Sequence, residues 1–431
     1  RVAILATIRN EEEGTFQRIF YSLKENPDFD FWLLYDSDDS FEEKERKWTE
    51  SLRGELGRER IFYRRRLVPF ERKQGNIAEW FHGEGANYDY FFVLDADSMI
   101  PSSQIKKLLQ KAEHPKNENI GLFHSAIYIA HDHTLFARAQ AVGQYFAQRL
   151  YFRVNQAVFG KTTSFGHNCL VRSKAFQRIK LPEGILSHDN WETALLDREG
   201  YRTAFVTDTL TFEEATPHYL EERLRTRRWM KGSLQGWPIL FMKGVSFPVR
   251  FLIFYQIYLY LVHPLLLLWG FLGLLCGSRW FQIGLFRSGD PGAMRPLTIT
   301  LCFTFLVLFG HKFFLVRSFK EAKLAIFEVL VSTLVSLNNI FYLTWDLFLL
   351  FFEKLCWKPM AKDPNLRVKL SDCTQALFAG SALGLAAFLW GVIYSPYWTL
   401  AAAPVWASLI LSIPVVYFTS RDWTWEEKGG V

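Results

Sequence analysis

The feature that most constrains this chain is its division near residue 245. Before that point the apolar runs are short and most of them end in acids. After it they reach the ~20 residues that a helix needs to cross a bilayer. The charges and histidines concentrate in the first part, so a bundle of spans does not account for it. With 431 residues there is room for one soluble domain and a separate apolar region. An aromatic content of 17%, with 40 Phe and 15 Trp, suits a surface that meets lipid.

In the first part, Val2 to Thr7 reads as a buried strand ending at Arg9, Asn10, Glu11 and Glu12. A helix follows through Phe16, Ile19, Phe20 and Leu23. Phe31 to Tyr35 is a second strand and ends at Asp36-Ser37-Asp38-Asp39. A charged helix from Phe41 to Leu56 leads to a third strand, Ile61 to Tyr63. Tyr90 to Leu94 is the fourth, and Asp95 ends it. Strands alternating with helices predict an open parallel α/β sheet. Ligands of such sheets sit outside the carboxyl ends of the strands, which is where these acids fall.

Asp95-Ala96-Asp97 is the sharpest local pattern. On an extended chain residues i and i+2 point the same way, so both carboxylates can face one site. Magnesium or manganese is held by one or two carboxylates plus substrate phosphates and water, and the motif is read as a metal–diphosphate site. Taken alone, the same pair would be two solvated loop acids. Asp36 ends its strand in the same style and is read as accepting from a nucleobase or ribose, against a turn or capping role. In Lys73-Gln74-Gly75-Asn76 a cation, a small residue and an amide suit a turn facing pyrophosphate. The run Arg64-Arg65-Arg66 is read as steering an anionic substrate, or else as solvated charge.

Asp189 is the candidate general base, because that role needs one carboxylate within reach of an acceptor hydroxyl. The competing reading is a capping box with Glu192. His167 and His188 are weighed as metal ligands against hydrogen-bonded structural roles. Tyr219 to Gln235 has helical patterning and contains Arg225-Thr226-Arg227-Arg228-Trp229. Guanidinium groups there would meet phosphate while the indole lines a sugar channel. The alternative is an amphipathic helix on the membrane surface.

Four spans are expected in the second part, at 251–276, 297–316, 375–394 and 398–418. The stretch 324–355 carries Glu328, Asn338, Asn339 and Asp346, groups costly at a bilayer centre, and is read as interfacial or re-entrant helices. Four spans place the basic loops Arg317–Lys323 and Lys354–Lys369 on the side of the soluble domain, as the positive-inside rule requires of cytosolic loops. The segment 356–372 is read as a gating loop over the donor site.

The net charge of +6 comes from scattered residues or from residues flanking spans, and no nucleic-acid reading module is present. Cys169, Cys276, Cys302, Cys356 and Cys373 lack C-x-x-C spacing, so neither a disulfide framework nor a zinc site is expected. The chain starts at Arg1, just before a buried-type strand and without a methionine, and is read as a segment whose natural N-terminus lies upstream.

Taken together, Phe62-Tyr63-Arg64-Arg65-Arg66, Arg72-Lys73-Gln74-Gly75-Asn76-Ile77, Val93-Leu94-Asp95-Ala96-Asp97-Ser98, Gly166-His167-Asn168, Leu186-Ser187-His188-Asp189 and Arg227-Arg228-Trp229 resemble the processive family 2 glycosyltransferases. That group contains the cellulose, hyaluronan and chitin synthases. Ala403-Pro404 and Ser408 to Ser412 extend the resemblance into the last span. Ser187-His188-Asp189 replaces the Thr-Glu-Asp of the broader group, and Arg225 replaces a Gln, as in the branch that makes osmoregulated periplasmic glucans. The resemblance implies a GT-A fold (residues 1–245, with interfacial helices) followed by an α-helical transmembrane region (246–431). It implies a UDP-glucose donor, a Mg2+ or Mn2+ ion on Asp95 and Asp97, and a donor-binding set of Thr7, Asn10, Glu11, Asp36, Lys73, Asn76, Asp95 and Arg225. Asp189, Asp97, Arg228 and Trp229 would carry the chemistry. It further implies inverting synthesis of a β-1,2-linked glucan at the inner membrane of a Gram-negative bacterium, with the catalytic domain in the cytosol. Acyl carrier protein and periplasmic glucan-processing proteins would be the partners. The rival readings are a synthase of another β-linked polysaccharide and an inactive transport or structural membrane protein.

Overall fold

A computed structural model describes residues 1–11, 13–66, 68–130, 132–284, 299, 302–303, 306–352, 366–394 and 396–422. The four apolar runs of the sequence become β1 (Val2–Ile8), β2 (Asp30–Tyr35), β3 (Ile61–Arg65) and β4 (Tyr90–Asp95). They pair in parallel in the order β3-β2-β1-β4. Helices α1 (Glu13–Glu25), α2 (Glu42–Leu56) and α3 (Arg72–His82) connect them. The central strand is buried on both faces. Ile4, Ala6 and Ile8 join Phe16 and Ile19 of α1 in one core, while Ala3 and Leu5 join Ile77 and Trp80 of α3 in the other. Burial on both sides is why such strands read as continuous apolar runs. Trp80 is fully buried, and truncating so large a side chain in a packed core costs about 3–5 kcal/mol.

Beyond β4 the sheet departs from the all-parallel expectation. After α4 (Ser102–Ala112) come β5 (Ile120–Ile129), then α5 (Leu135–Arg149), α6 (Tyr151–Phe159), β6 (Cys169–Arg172) and α7 (Ser173–Phe176). Helix α8 (Asp189–Arg198) and β7 (Arg202–Glu213) complete the sheet in the order β4-β6-β5-β7. Strand β6 is antiparallel to both neighbours, so the sheet is mixed. An antiparallel strand brings its beginning to the carboxyl edge of the strands beside it. The loop before β6 therefore lands at the end of β4, where the Asn168 N–H donates to the Val93 carbonyl at 2.7 Å.

Helix α9 (Tyr219–Leu234) follows, and then α10 (Phe247–Gly284). Among the described residues two helices are long and apolar enough to cross a membrane, Phe247–Leu275 and Leu370–Tyr394. A third candidate is the pair Phe319–Ser336 and Asn339–Leu349, bent by 45°. The break falls at Asn338, inside the stretch 324–355. The first expected span, 251–276, lies within α10, and 375–394 lies within Leu370–Tyr394. Residues 398–418 form parts of three short helices, Pro396–Ala401, Ala403–Ile410 and Ser412–Thr419. Pro404 and Pro414 stand in the first turns of the last two, where a missing N–H is tolerated. Much of 297–316 and most of 356–372 lie outside the described residues. Leu265, Leu268, Trp269 and Phe271 of α10 are more than half exposed, as suits side chains that meet lipid.

Candidate active site

Strand register sets the floor of the site. Thr7 stands opposite Asp95 and Ile8 opposite Tyr35, and the Asp36 N–H donates to the Ile8 carbonyl at 2.9 Å. The carboxyl ends of β1, β2 and β4 are thus level. A cleft of ≈ 270 Å³ opens above them, lined by Thr7, Glu11, Asp36, Lys73, Asn76, Asp95, Asp97, Asp189, Arg225, Arg228 and Trp229, among others. Of the residues expected at the site, Asn10 alone is not among those lining it. Its side chain exchanges two 2.8 Å hydrogen bonds with Asp38 and ties the loop after β1 to the loop after β2.

Asp95 is met from two sides. The Lys73 ammonium donates to its carboxylate and also to the Gly166 carbonyl at 2.7 Å. The His167 ring stands 3.8 Å from the other carboxylate oxygen. Nδ1 of His167 lies 2.9 Å from the Phe165 carbonyl and Nε2 lies 2.8 Å from Glu213. With an acceptor at each nitrogen, the ring is placed to donate twice. Burial works against its charge, yet Asp95 and Glu213 outweigh that and push the pKa up to about 9. Burial likewise opposes the charge of Glu213, but His167 and Arg225 hold this carboxyl below its usual range. Glu213 ends β7, so the rule of ligands at strand ends pointed to it as well. It went unrecognised because β7 itself was not legible.

Asp189 opens α8. The capping box is not formed. His188 is the cap and makes no side-chain cap bond, while Glu192 accepts from the Ser164 hydroxyl at 2.7 Å. The Asp189 carboxylate instead accepts from the Ser187 hydroxyl at 2.9 Å and lines the cleft. His188 lines it too, with Nδ1 at 3.5 Å from Asp189. Gly166 makes this approach possible, since a Cβ there would lie 2.3 Å from the Asp189 carboxylate and its φ is +75°. Gly232 of α9 serves similarly, because a Cβ would come 2.4 Å from Cβ of Ser187.

Helix α9 has two working faces. Arg225, Arg228 and Trp229 line the cleft, with the Arg225 guanidinium 4.5 Å from the indole and 2.7 Å from Glu222. Burial and the charge of Arg225 push the pKa of Arg228 down. The opposite face, with Leu220, Arg223, Leu224 and Arg227, borders a second recess that also includes Asp346, Asp372 and Gln375. Arg223 there makes two 2.7 Å bonds to buried Asp346.

Three expectations change in detail. The run Arg64-Arg65-Arg66 is not solvated charge. Arg64 pairs with Glu79 and Glu84, Arg65 with Glu45 and Asp39, and Arg66 with Asp36. Gly75 stands in the first turn of α3 and is small because a Cβ there would lie 2.1 Å from the Phe70 carbonyl of the preceding loop. Asn76 is 1% exposed, donating to the Leu34 carbonyl at 3.2 Å and accepting from Arg64 at 2.9 Å.

Asp95 and Asp97 both line the cleft, and no group of three or more His, Cys, Asp or Glu that could hold a metal occurs among the described residues. Two carboxylates on an open cleft fit an ion that takes its other ligands from phosphates and water.

Residues 90–420 match the family described as Glycosyl transferase family group 2. The chain is similar to the "Glucans biosynthesis glucosyltransferase H" of Shewanella oneidensis, 30% identical over 84% of this chain and 54% of that one. The protein of the same name from Xanthomonas oryzae is 28% identical over 97% of this chain and 72% of that one. This chain thus spans about half the length of the Shewanella relative. Among solved structures, a mannosyltransferase from Pyrobaculum calidifontis in complex with GDP-Man and Mn2+ superposes with a TM-score of 0.50. It is 13% identical, over 82% of this chain and 88% of that one. The mixed sheet with its level carboxyl edge is the GT-A fold that the resemblance implied.

Proposed function

The chain belongs to glycosyl transferase family group 2, and from that footing we propose that it transfers glucose from UDP-glucose to a growing β-1,2-linked glucan. One observation carries the reading. Carboxylates from three strand ends converge in a single cleft with Asp189 and with the arginines and indole of α9. Asp36 accepts from the uracil, Thr7 and Glu11 border the nucleoside, and Lys73 and Arg228 face the diphosphate. Asp95 and Asp97 would hold a divalent cation, Mg2+ or Mn2+, which when bound neutralises charge on the departing diphosphate.

In the reaction, Asp189 takes the proton of an acceptor hydroxyl as its oxygen attacks the anomeric carbon. The bond from that carbon to the diphosphate oxygen breaks, and UDP leaves with the electron pair. Attack from the face opposite the leaving group inverts the anomeric centre, giving a β linkage from an α-linked donor. Arg228 offsets charge on the leaving group in a partly desolvated cleft, where such a term is large. Trp229 offers a flat apolar face to the acceptor sugar. Apolar helices after residue 246 would anchor the domain on the cytosolic side of the inner membrane and pass the glucan across.

The test is UDP release from UDP-glucose by the purified chain in lipid, with and without EDTA, followed by linkage analysis of the product. Release that depends on the metal, with β-1,2 linkages, is the expected result. A different linkage makes this a synthase of another polymer, and no release from any UDP-sugar overturns the reading.

A further inference from the structure

Arg66 ends the arginine run just past β3 and turns inward to Asp36. Its guanidinium is almost wholly buried and makes four hydrogen bonds. Nε and Nη2 reach the two carboxylate oxygens of Asp36 at 2.8 and 2.7 Å. Nη1 donates to the Phe70 carbonyl at 2.6 Å and Nη2 to the Arg72 carbonyl at 3.0 Å. One planar fork thus joins the carboxylate at the end of β2 to the loop that leads into α3. Arg64 and Arg65 differ, since their acid partners lie on α2, on α3 and in the segments beside them, outside the cleft lining.

The loop that Arg66 holds is strained. Glu71 and Arg72 both take left-handed conformations, at φ of 56° and 51°. Neither is a glycine, and such residues stay there only when their surroundings hold them. Gly75 packs so close to the Phe70 carbonyl and to the Arg66 guanidinium that no side chain fits. The Glu71 carboxylate accepts from the Gly184 N–H at 2.9 Å, and Arg72 donates to the Ile185 carbonyl at 3.0 Å. Immediately after this pair stands Lys73, whose ammonium reaches Asp95 and the Gly166 carbonyl. The bonded path runs from Asp36 through Arg66 and the strained loop to Lys73 and Asp95.

We infer that Arg66 is a positioning residue that locks Asp36 and Lys73 into one rigid unit, so that a nucleoside diphosphate is gripped at its base and its phosphates together. The inference rests on the donor reading proposed above. A lysine at position 66 keeps the charge but cannot fork, so it cannot hold Asp36 and both carbonyls at once. The grip should then loosen at both ends while Asp189 and α9 stay in place.

The experiment uses the full chain in lipid nanodiscs, comparing wild type, Arg66→Lys and Arg66→Leu. UDP affinity by calorimetry should fall roughly tenfold or more in Arg66→Lys, the scale of losing charge-assisted bonds. The Michaelis constant for UDP-glucose should rise in step, while kcat at saturating donor stays within about threefold, the signature of lost binding that is uniform in ground and transition states. A merely structural role would lower the thermal midpoint and the active fraction without moving UDP affinity. Amide exchange across residues 70–75, measured without nucleotide, should speed up in Arg66→Lys, and this readout does not depend on the donor's identity. Unchanged exchange there overturns the clamp. Unchanged UDP affinity in a variant whose wild type binds UDP overturns the coupling and leaves the donor reading standing. A wild type that binds no UDP overturns both the donor reading and the coupling drawn from it. Should Arg66→Leu fail to fold, Arg66→Lys still decides each outcome.

Discussion

The two walls of the cleft are held by different parts of the molecule. The wall proposed to hold the donor is a product of the sheet. Three parallel strands end level, and the residues above them are fixed by Asp36–Arg66 and Lys73–Asp95. The wall proposed to face the acceptor rests on the apolar helices. Ala194 of α8 packs with Ile239, Val249, Ile253 and Ile257, and the last three of these belong to the start of α10. Tyr219 of α9 lies in a cluster with Leu274, Tyr342, Leu377 and Trp406. On the proposed reading, the difference means that nucleotide binding and sugar transfer should be separable by substitution. Changes in the sheet reach the donor first, and changes in the apolar region reach the acceptor and the base.

The largest effect should come from Asp189→Asn. Loss of a general base lowers transfer by about 10²–10⁴-fold, and UDP affinity should hold because the donor wall is untouched. Near-normal turnover in that variant would remove the base assignment and with it the contrast between the walls. Next comes Arg223→Met. It strands Asp346, which is 2% exposed, and breaking one side of a buried pair costs about 3–5 kcal/mol. Helix α9 should loosen from the membrane helices, so transfer and thermal midpoint fall, and UDP affinity falls by less because Lys73 and Asp36 still hold the nucleotide from the sheet. Adding Asp346→Leu should recover much of the loss, since an apolar pair leaves no stranded charge. Equal losses of UDP affinity and transfer would break the comparison.

The same division decided what the sequence disclosed. β1, β2 and β4 are apolar runs ended by acids, and both the strands and the acids above them were legible. β7 carries Asp208 and several threonines, and β6 is four residues long, so neither stands out by composition. Their antiparallel and crossing connections put His167 between Asp95 and Glu213, a meeting that only tertiary contact reveals. The arginine run misled for the same reason. Three adjacent charges look solvated until partners from α2, α3 and the end of β2 are in place. Membrane helices were visible by length and apolarity, but what Asp346 and Asn339 do there was not. Each meets a polar group of α9 far away in sequence, Arg223 and Tyr219 respectively.

A smaller change sharpens where the walls touch. Gly166→Ala puts a methyl group 2.3 Å from the Asp189 carboxylate at a φ of +75°. Left-handed backbone costs an alanine about 1 kcal/mol and overpacking about 1–3 kcal/mol more. Turnover should fall by roughly tenfold or more as the base is displaced. Because the Gly166 carbonyl also accepts from Lys73, UDP affinity should shift too, though less. A UDP effect larger than the turnover effect would move Gly166 to the donor wall.

The smallest effect is a pH dependence that separates the walls without touching the chemistry. His218 caps α9, its Nδ1 accepting from the Glu221 N–H, and burial with the nearby Arg367 lowers its pKa from 6.5 to about 4. His124 is fully buried, accepts from the Phe165 N–H at 3.0 Å, and is also pushed down by burial and by His167. For both, the folded pKa lies below the unfolded one, so between pH ~6.5 and ~4 the unfolded chain binds protons that the folded chain refuses. The contribution of these two histidines should be flat above that window, fall as the pH drops through it, and for the His218 part level off below about pH 4. In His218→Asn, an asparagine caps the helix and does not titrate, so that share of the slope should vanish while the His124 share remains. Thermal midpoints measured across the window in the absence of nucleotide would show it, and an unchanged slope in His218→Asn would mean that the cap of α9 is not where the acid sensitivity of the acceptor wall resides.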